Sequence, residues 1–118
     1  MKIKRIAANI VAVLGFFAAS QALANGSATG KVVNIQVVTS GGPHQQGVAF
    51  IYLESKPSGS PECGKLPRWA VDLGVNSGQA AYSLALAAQL SGKTVTITGQ
   101  GSCDVWSDTE TALYISEY

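Results

Sequence analysis

The sequence predicts a small, mainly β domain carrying one helix, with its elements in the order β-β-β-α-β-β. Apolar and polar residues alternate through most of its extended segments, the period of a strand with one buried face. One Ala- and Leu-rich stretch, residues 79–90, breaks that period. Two cysteines in a chain that opens with an export segment predict a disulfide to staple a core this small.

Lys2, Lys4 and Arg5 open the chain without an acid, Ile6 to Ala19 is apolar apart from Asn9, and Ala22-Leu23-Ala24 puts small residues where a signal peptidase reads. That order is the signature of a cleavable export segment. The apolar run, about 14 residues, is shorter than the roughly 20 a membrane-spanning helix needs. No cysteine follows it to carry a lipid. Cleavage after Ala24 leaves residues 25–118, 94 in all, as one domain that is periplasmic or secreted, with no membrane insertion.

Cleavage also inverts the charge. The whole chain is formally +1, but residues 25–118 keep five bases (Lys31, Lys56, Lys65, Arg68, Lys93) against seven acids (Glu54, Glu62, Asp72, Asp104, Asp108, Glu110, Glu117), a net −2. No basic patch remains to track a phosphate backbone, so nucleic acid is excluded as a partner.

Asn25 to Thr29 is small and polar and reads as a loose lead-in. In the first strand, Gly30 to Thr39, Val33, Ile35 and Val37 alternate with Asn34 and Gln36, which predicts that these three face inward. Ser40-Gly41-Gly42-Pro43 ends it. The second strand, Val48 to Glu54, is apolar on both faces. A loop, Lys56 to Pro61, leads to Cys63. The third strand, Arg68 to Leu73, sets Trp69, Val71 and Leu73 on one side, making Trp69 a core residue. Ser77 is placed to cap a helix running to Leu90, with Ala81, Leu84 and Ala88 on one face and Gly92 at its C-terminal stop. Thr94 to Thr98 alternates cleanly. The last strand, Thr111 to Glu117, turns Leu113 and Ile115 one way and Ala112 and Tyr114 the other. A helix between the third and fourth of five strands is the layout of the OB-fold, a five-stranded barrel. An open α+β sheet with the helix across one face is the alternative.

The even cysteine count in an exported chain pairs Cys63 with Cys103. The staple closes a 40-residue loop, about 4 kcal/mol by chain entropy. Two cysteines and one distant histidine do not make a metal site, and no motif calls for a cofactor. His44, in a loop after the first strand, reads as solvated rather than catalytic, because no nucleophile and orienting acid accompany it. Asp104, Asp108 and Glu110 near Trp106 could in principle pair for glycoside hydrolysis, but acids in such a loop read as solvated or capping groups. Gly99-Gln100-Gly101 leads into more loop and not a helix, so it is no phosphate loop. Trp106, flanked by Asp104 and Ser107, has two readings: a platform that stacks on a sugar, or an inward residue that caps the barrel or meets another subunit.

Several segments in order carry a family resemblance: Val33-Asn34-Ile35-Gln36 ending in Thr39 and Gly41; Phe50 through Glu54-Ser55-Lys56; Cys63 followed by Trp69-Ala70; Ser91-Gly92-Lys93-Thr94-Val95-Thr96-Ile97 after the helix; and then Trp106. In these the chain resembles the B subunits of the subtilase-cytotoxin and typhoid-toxin group of AB5 toxins and their small exported relatives. The resemblance implies an OB-fold, a ring of five subunits, and glycan binding, often to sialylated sugars. It implies a pocket built from a serine opening the first strand, a glutamate after the second and a tyrosine after the fourth. Glu54 matches the glutamate, Thr29 stands near the serine position and Thr98 stands where the tyrosine would be. The family's cysteine in the second strand has no counterpart in Ile51-Tyr52-Leu53. The expected function is that of a non-catalytic glycan-binding module, with Thr29, Glu54, Thr98, Asp104 and Trp106 as ligand-contacting candidates. The alternative is a protein-binding inhibitor or accessory subunit, suggested by the acid-rich loop from Asp104 to Glu110.

Overall fold

The computed structural model of the protein describes residues 25–39 and 46–118. The expected export segment, residues 1–24, and His44 with its loop lie outside them. Strand β1 (Ser27–Val38) is long enough to serve two partners. Its first half pairs antiparallel with β4 (Thr94–Gly99), from Ser27 opposite Thr98 to Lys31 opposite Thr94. Its second half pairs with β2 (Val48–Leu53), from Val32 opposite Leu53 to Val38 opposite Val48. β2 continues to β3 (Trp69–Asp72), and β4 to β5 (Ala112–Glu117), giving the antiparallel order β3-β2-β1-β4-β5. Helix α1 (Asn76–Ser91) joins β3 to β4.

The element order is the expected one, but the sheet does not close into the expected barrel; the open sheet is what forms. The four residues of β3 are too few for a second ladder, and the chain reaches β5 through turns. The two edges meet at one parallel bridge, Ala70 to Thr111, where the Ala70 N–H donates to the Glu110 carbonyl at 3.0 Å.

Two irregularities correct the alternation read from the sequence. The β1–β2 register shifts between Val32 and Asn34, so Val33 is the extra residue of a bulge. Ala28, Gly30 and Val32 are the buried residues of the first half, whereas Val33 is 56 % and Val37 43 % exposed, and only Ile35 of the expected trio packs on the core. Ser27 to Thr29 is strand and not lead-in, since it pairs with β4. A second shift opposite Thr98 and Gly99 makes Leu113 the extra residue of β5. Ala112 and Ile115 therefore both pack on the core, three positions apart, while Leu113 and Tyr114 are exposed.

The main core lies between the sheet and α1: Val32, Ile51, Leu53, Trp69, Val71, Val95 and Ile97 from the strands, Ala85 and Ala88 from the helix. The helix seats through small residues, Gly78, Ala85 and Ala88, with Ala81 and Tyr82 beside them; Leu84 stays outside this seam. A Cβ at position 78 would strike the Asp72 carbonyl, which sets how closely the helix approaches. Ser77 is not the cap. Val75 occupies that position without a side-chain bond, and Ser77 falls in the first turn. Gly92 ends the helix as expected, in the left-handed conformation with its N–H on the Ala88 carbonyl.

A smaller cluster covers the opposite side of β2 and β3, where Val48, Phe50 and Ala70 meet Val105 and Trp106 from the loop between β4 and β5. Both faces of β2 are thus buried, as its apolar run predicts. Cys63 and Cys103 are joined, with Cα atoms 6.2 Å apart, tying the loop before β3 to the loop before β5.

Candidate functional site

Alternation in β4 buries Val95 and Ile97 and turns Thr94, Thr96 and Thr98 away from the core. The register then aligns hydroxyls across three strands. Ser27, Thr98 and Tyr114 form one row, and Thr29, Thr96 and Ser116 the next. Thr29 Oγ1 and Thr96 Oγ1 share a hydrogen bond of 2.7 Å. The side-chain hydroxyls of Ser27, Thr98, Tyr114 and Ser116 hold no hydrogen bond among the described residues. Tyr114, 55 % exposed, presents its ring at the end of the first row.

Glu54 follows β2, and its side chain stands over Gly30, on the side of β1 that carries Ala28 and Val32 rather than on the hydroxyl face. Its Oε1 accepts the Lys31 N–H at 3.1 Å, and its own N–H donates to the Lys31 carbonyl at 3.0 Å. Ser55 Oγ donates to the Thr29 carbonyl. Gly30 makes room for both: a Cβ there would meet Ser55 Oγ at 2.6 Å and Glu54 Cγ at 2.8 Å. The structure thus sets Glu54 over the opposite side of β1 and gathers Thr29 and Thr98 on one surface. At its far end Lys93 Nζ pairs with Glu117 Oε1 at 2.8 Å, and that hydrogen bond holds the Lys93 ammonium above its ordinary range.

Asp104 and Trp106 lie elsewhere, in the loop between β4 and β5. Thr111 Oγ1 donates to Asp104 Oδ1 at 2.6 Å and Gln100 Nε2 to Oδ2 at 2.9 Å. The Thr111 bond is the main reason the Asp104 carboxyl sits below the usual range. Trp106 meets Phe50 edge to face with ring centres 5.2 Å apart, and the Arg68 guanidinium lies 3.8 Å above the same Phe50 ring. Arg68 also donates to Thr109 Oγ1 at 2.9 Å, Asp108 Oδ1 at 3.2 Å and the Tyr52 hydroxyl at 3.3 Å. Bonds from Thr109 first, and then Arg68, depress the Asp108 carboxyl.

The acid the sequence reading passed over as solvent-facing is the most buried of the group. Glu110 is 2 % exposed. Its carboxylate accepts the Gly26 N–H on both oxygens, at 3.1 and 3.0 Å, and the Gly101 N–H at 3.1 Å. Its sequence neighbours, Asp108 and Asp104, gave no sign of this; the nearest signal was the glycine pair at 99 and 101.

Between α1 and the start of β5 runs a cleft of about 360 Å³, lined by Val75, Ser77, Gln100, Asp104, Leu113 and Tyr114 among others. That volume is at the small end of ligand sites. Tyr114 lines this cleft and also ends the hydroxyl row on the outward face, whereas Asp104 stays on the cleft side. Neither Tyr114 nor Arg68 was singled out by sequence: Tyr114 read as one position of an alternating strand, and the bulge at Leu113 that exposes it leaves no mark in composition. Among the described residues no three His, Cys, Asp or Glu side chains gather as metal ligands, and no helix is long and apolar enough to cross a membrane. Comparison with protein-family models, curated proteins and solved structures finds no match to the chain.

Proposed function

We propose that this chain is a non-catalytic, exported binding module whose ligand is a glycan. It takes the glycan on the outward face of β1, β4 and β5, with Tyr114 as the stacking platform. The observation that carries the reading is the hydroxyl row Ser27–Thr98–Tyr114 beside Thr29–Thr96–Ser116. A sugar offers many hydroxyls that both donate and accept, together with an apolar ring face. A surface of unengaged hydroxyls next to an exposed aromatic ring complements both. This reading agrees with the expectation drawn from the toxin B-subunit resemblance, with Tyr114 supplying from β5 the ring that Thr98 lacks.

A glycan array probed with the oxidised protein from Asn25 onward tests it. Binding to a defined glycan class that Tyr114→Ala abolishes, at unchanged melting temperature, is the expected result. No glycan bound, or binding indifferent to Tyr114→Ala and Thr98→Val, overturns it. The mass in solution tests the ring assembly that the resemblance implies.

A further inference from the structure

We propose that Glu110 is the internal receptor of the mature N-terminus, so that removal of the export segment completes the folded domain. A carboxylate as buried as Glu110 needs charged or strongly polar partners. It receives three backbone N–H contacts, from Gly26 and Gly101, and among the described residues no basic side chain pairs with it; the ion pairs there are Arg68 with Asp108 and Lys93 with Glu117.

The start of β1 is built around this carboxylate. A Cβ on Gly26 would collide with Glu110 Oε1 and lie 2.7 Å from Ser60 Oγ; one on Gly99 would collide with the same carboxylate. The Gly26 carbonyl accepts the Gly99 N–H at 2.8 Å, and Ser27 exchanges two backbone bonds of 3.0 Å with Ser58. Residues 26–27 therefore thread a slot between the Ser58–Ser60 loop, Trp69, Gly99 and Glu110.

The amide that Glu110 grips belongs to the second residue after the expected cleavage point. Cleavage after Ala24 converts the Asn25 nitrogen from a neutral amide into an ammonium. Successive backbone nitrogens are at most about 3.6 Å apart, and a Glu110 oxygen lies 3.0 Å from the Gly26 nitrogen. The new positive charge thus arises within about 7 Å of the buried carboxylate. Gly59, Ser60, Trp69 and Gly99, which meet residues 25–26, carry no charge, and the bases in this region, Lys56 and Lys65, line the recess beyond Ser60 and Gly64 without pairing with Glu110. Among the described residues the carboxylate has amides alone before cleavage; in the processed chain it gains a cation. The native state is then favoured after export rather than before it.

The inference rests on cleavage after Ala24, which the mass of the exported product checks separately. The test uses oxidised protein starting at Asn25, compared with the same protein acetylated on its α-amine. Acetylation should lower the melting temperature by about 4–8 °C, and the difference should vanish in Glu110→Gln. The α-amine of the unmodified protein should titrate above its ordinary range of about 7.7–8.0, a measurement that stands even if Glu110→Gln fails to fold. Equal melting temperatures with and without acetylation, or an α-amine that titrates in its ordinary range, overturn the proposal.

Discussion

In the loop between β4 and β5, three carboxylates are each answered from inside the protein: Asp104 by Thr111 and Gln100, Asp108 by Thr109 and Arg68, Glu110 by the amides of Gly26 and Gly101. On the outward face of β1, β4 and β5, Ser27, Thr98, Tyr114 and Ser116 keep their hydroxyls unengaged among the described residues. Both regions hold polar groups and an aromatic residue. In the loop these groups fix backbone to backbone across the open edge of the sheet, and Trp106 lies against Phe50. On the face they meet solvent, where a ligand has only water to displace. The difference teaches that a cluster of polar residues is open to a further partner only where its polar atoms are left over from folding.

The sharpest way to break this contrast is to dismantle the loop's anchors. Replacing Cys63 and Cys103 by Ala frees a 40-residue loop, and the expected loss is about 4 kcal/mol of stability, read by denaturant unfolding. Because the staple holds the loop and not the hydroxyl face, glycan affinity per folded molecule should hold wherever the fold survives. Next in size is Glu110→Ala. It leaves the Gly26 and Gly101 amides without their acceptor in a buried site, at a cost of about 3 kcal/mol, and should speed hydrogen exchange at Gly26 and Gly99 before it affects α1. Uniform loosening of the whole domain would show that the edge closure is not a separate unit.

This division also explains how much could be read from the sequence. The element order, the double burial of β2, the disulfide and Gly92 as helix stop were all legible, because each depends on local period or residue type. The bulges at Val33 and Leu113 were not. A bulge is chosen by pairing with a distant strand, and it leaves the alternation of its own strand looking regular. Ser77 looked like a cap, but the turn after Asp72, with the Gly74 N–H on Asp72 Oδ1 at 2.8 Å, starts the helix two residues too early for it. Glu110 was invisible for a similar reason. Its partner Gly26 comes from the other end of the domain, 84 residues away, and nothing in Asp108-Thr109-Glu110 tells a solvated acid from a buried one. The family resemblance names Thr29, Glu54 and Thr98, of which the fold sets Thr29 and Thr98 on the hydroxyl face, whereas Tyr114 needs the β4–β5 register.

The two aromatics sharpen the comparison directly. Trp106→Ala removes the ring packed on Phe50 and beside Val105; about 2 kcal/mol of stability should go with it, while glycan affinity stays. Tyr114→Ala should do the reverse. Its ring is exposed, so stability should move by no more than about 0.5 kcal/mol, while the lost stacking should weaken binding about tenfold. Thermal melts and titration calorimetry on the two variants read both quantities. The opposite pattern would move the ligand site from the strand face to the loop.

The smallest expected effect comes from acid. Asp104 and Asp108 have folded-state values below the ordinary carboxylate range, set chiefly by the hydroxyls of Thr111 and Thr109. A depressed folded value means the native state holds the charged form more tightly than the unfolded chain does. The stabilisation is therefore complete above the unfolded value of about 3.9 and drains away as the pH falls below it toward the lower folded values. Asp108 is partly open to water, its side chain 44 % exposed, so screening keeps its share small. Melting temperature followed from neutral pH downward should be flat until about pH 4 and then decline. The decline should be shallower in Asp104→Asn and in Asp108→Asn. The hydroxyl face has no part in this, because the hydroxyls of Thr98 and Ser116 do not titrate. Acid should thus loosen the loop between β4 and β5 and leave the hydroxyl rows of the outward face unchanged.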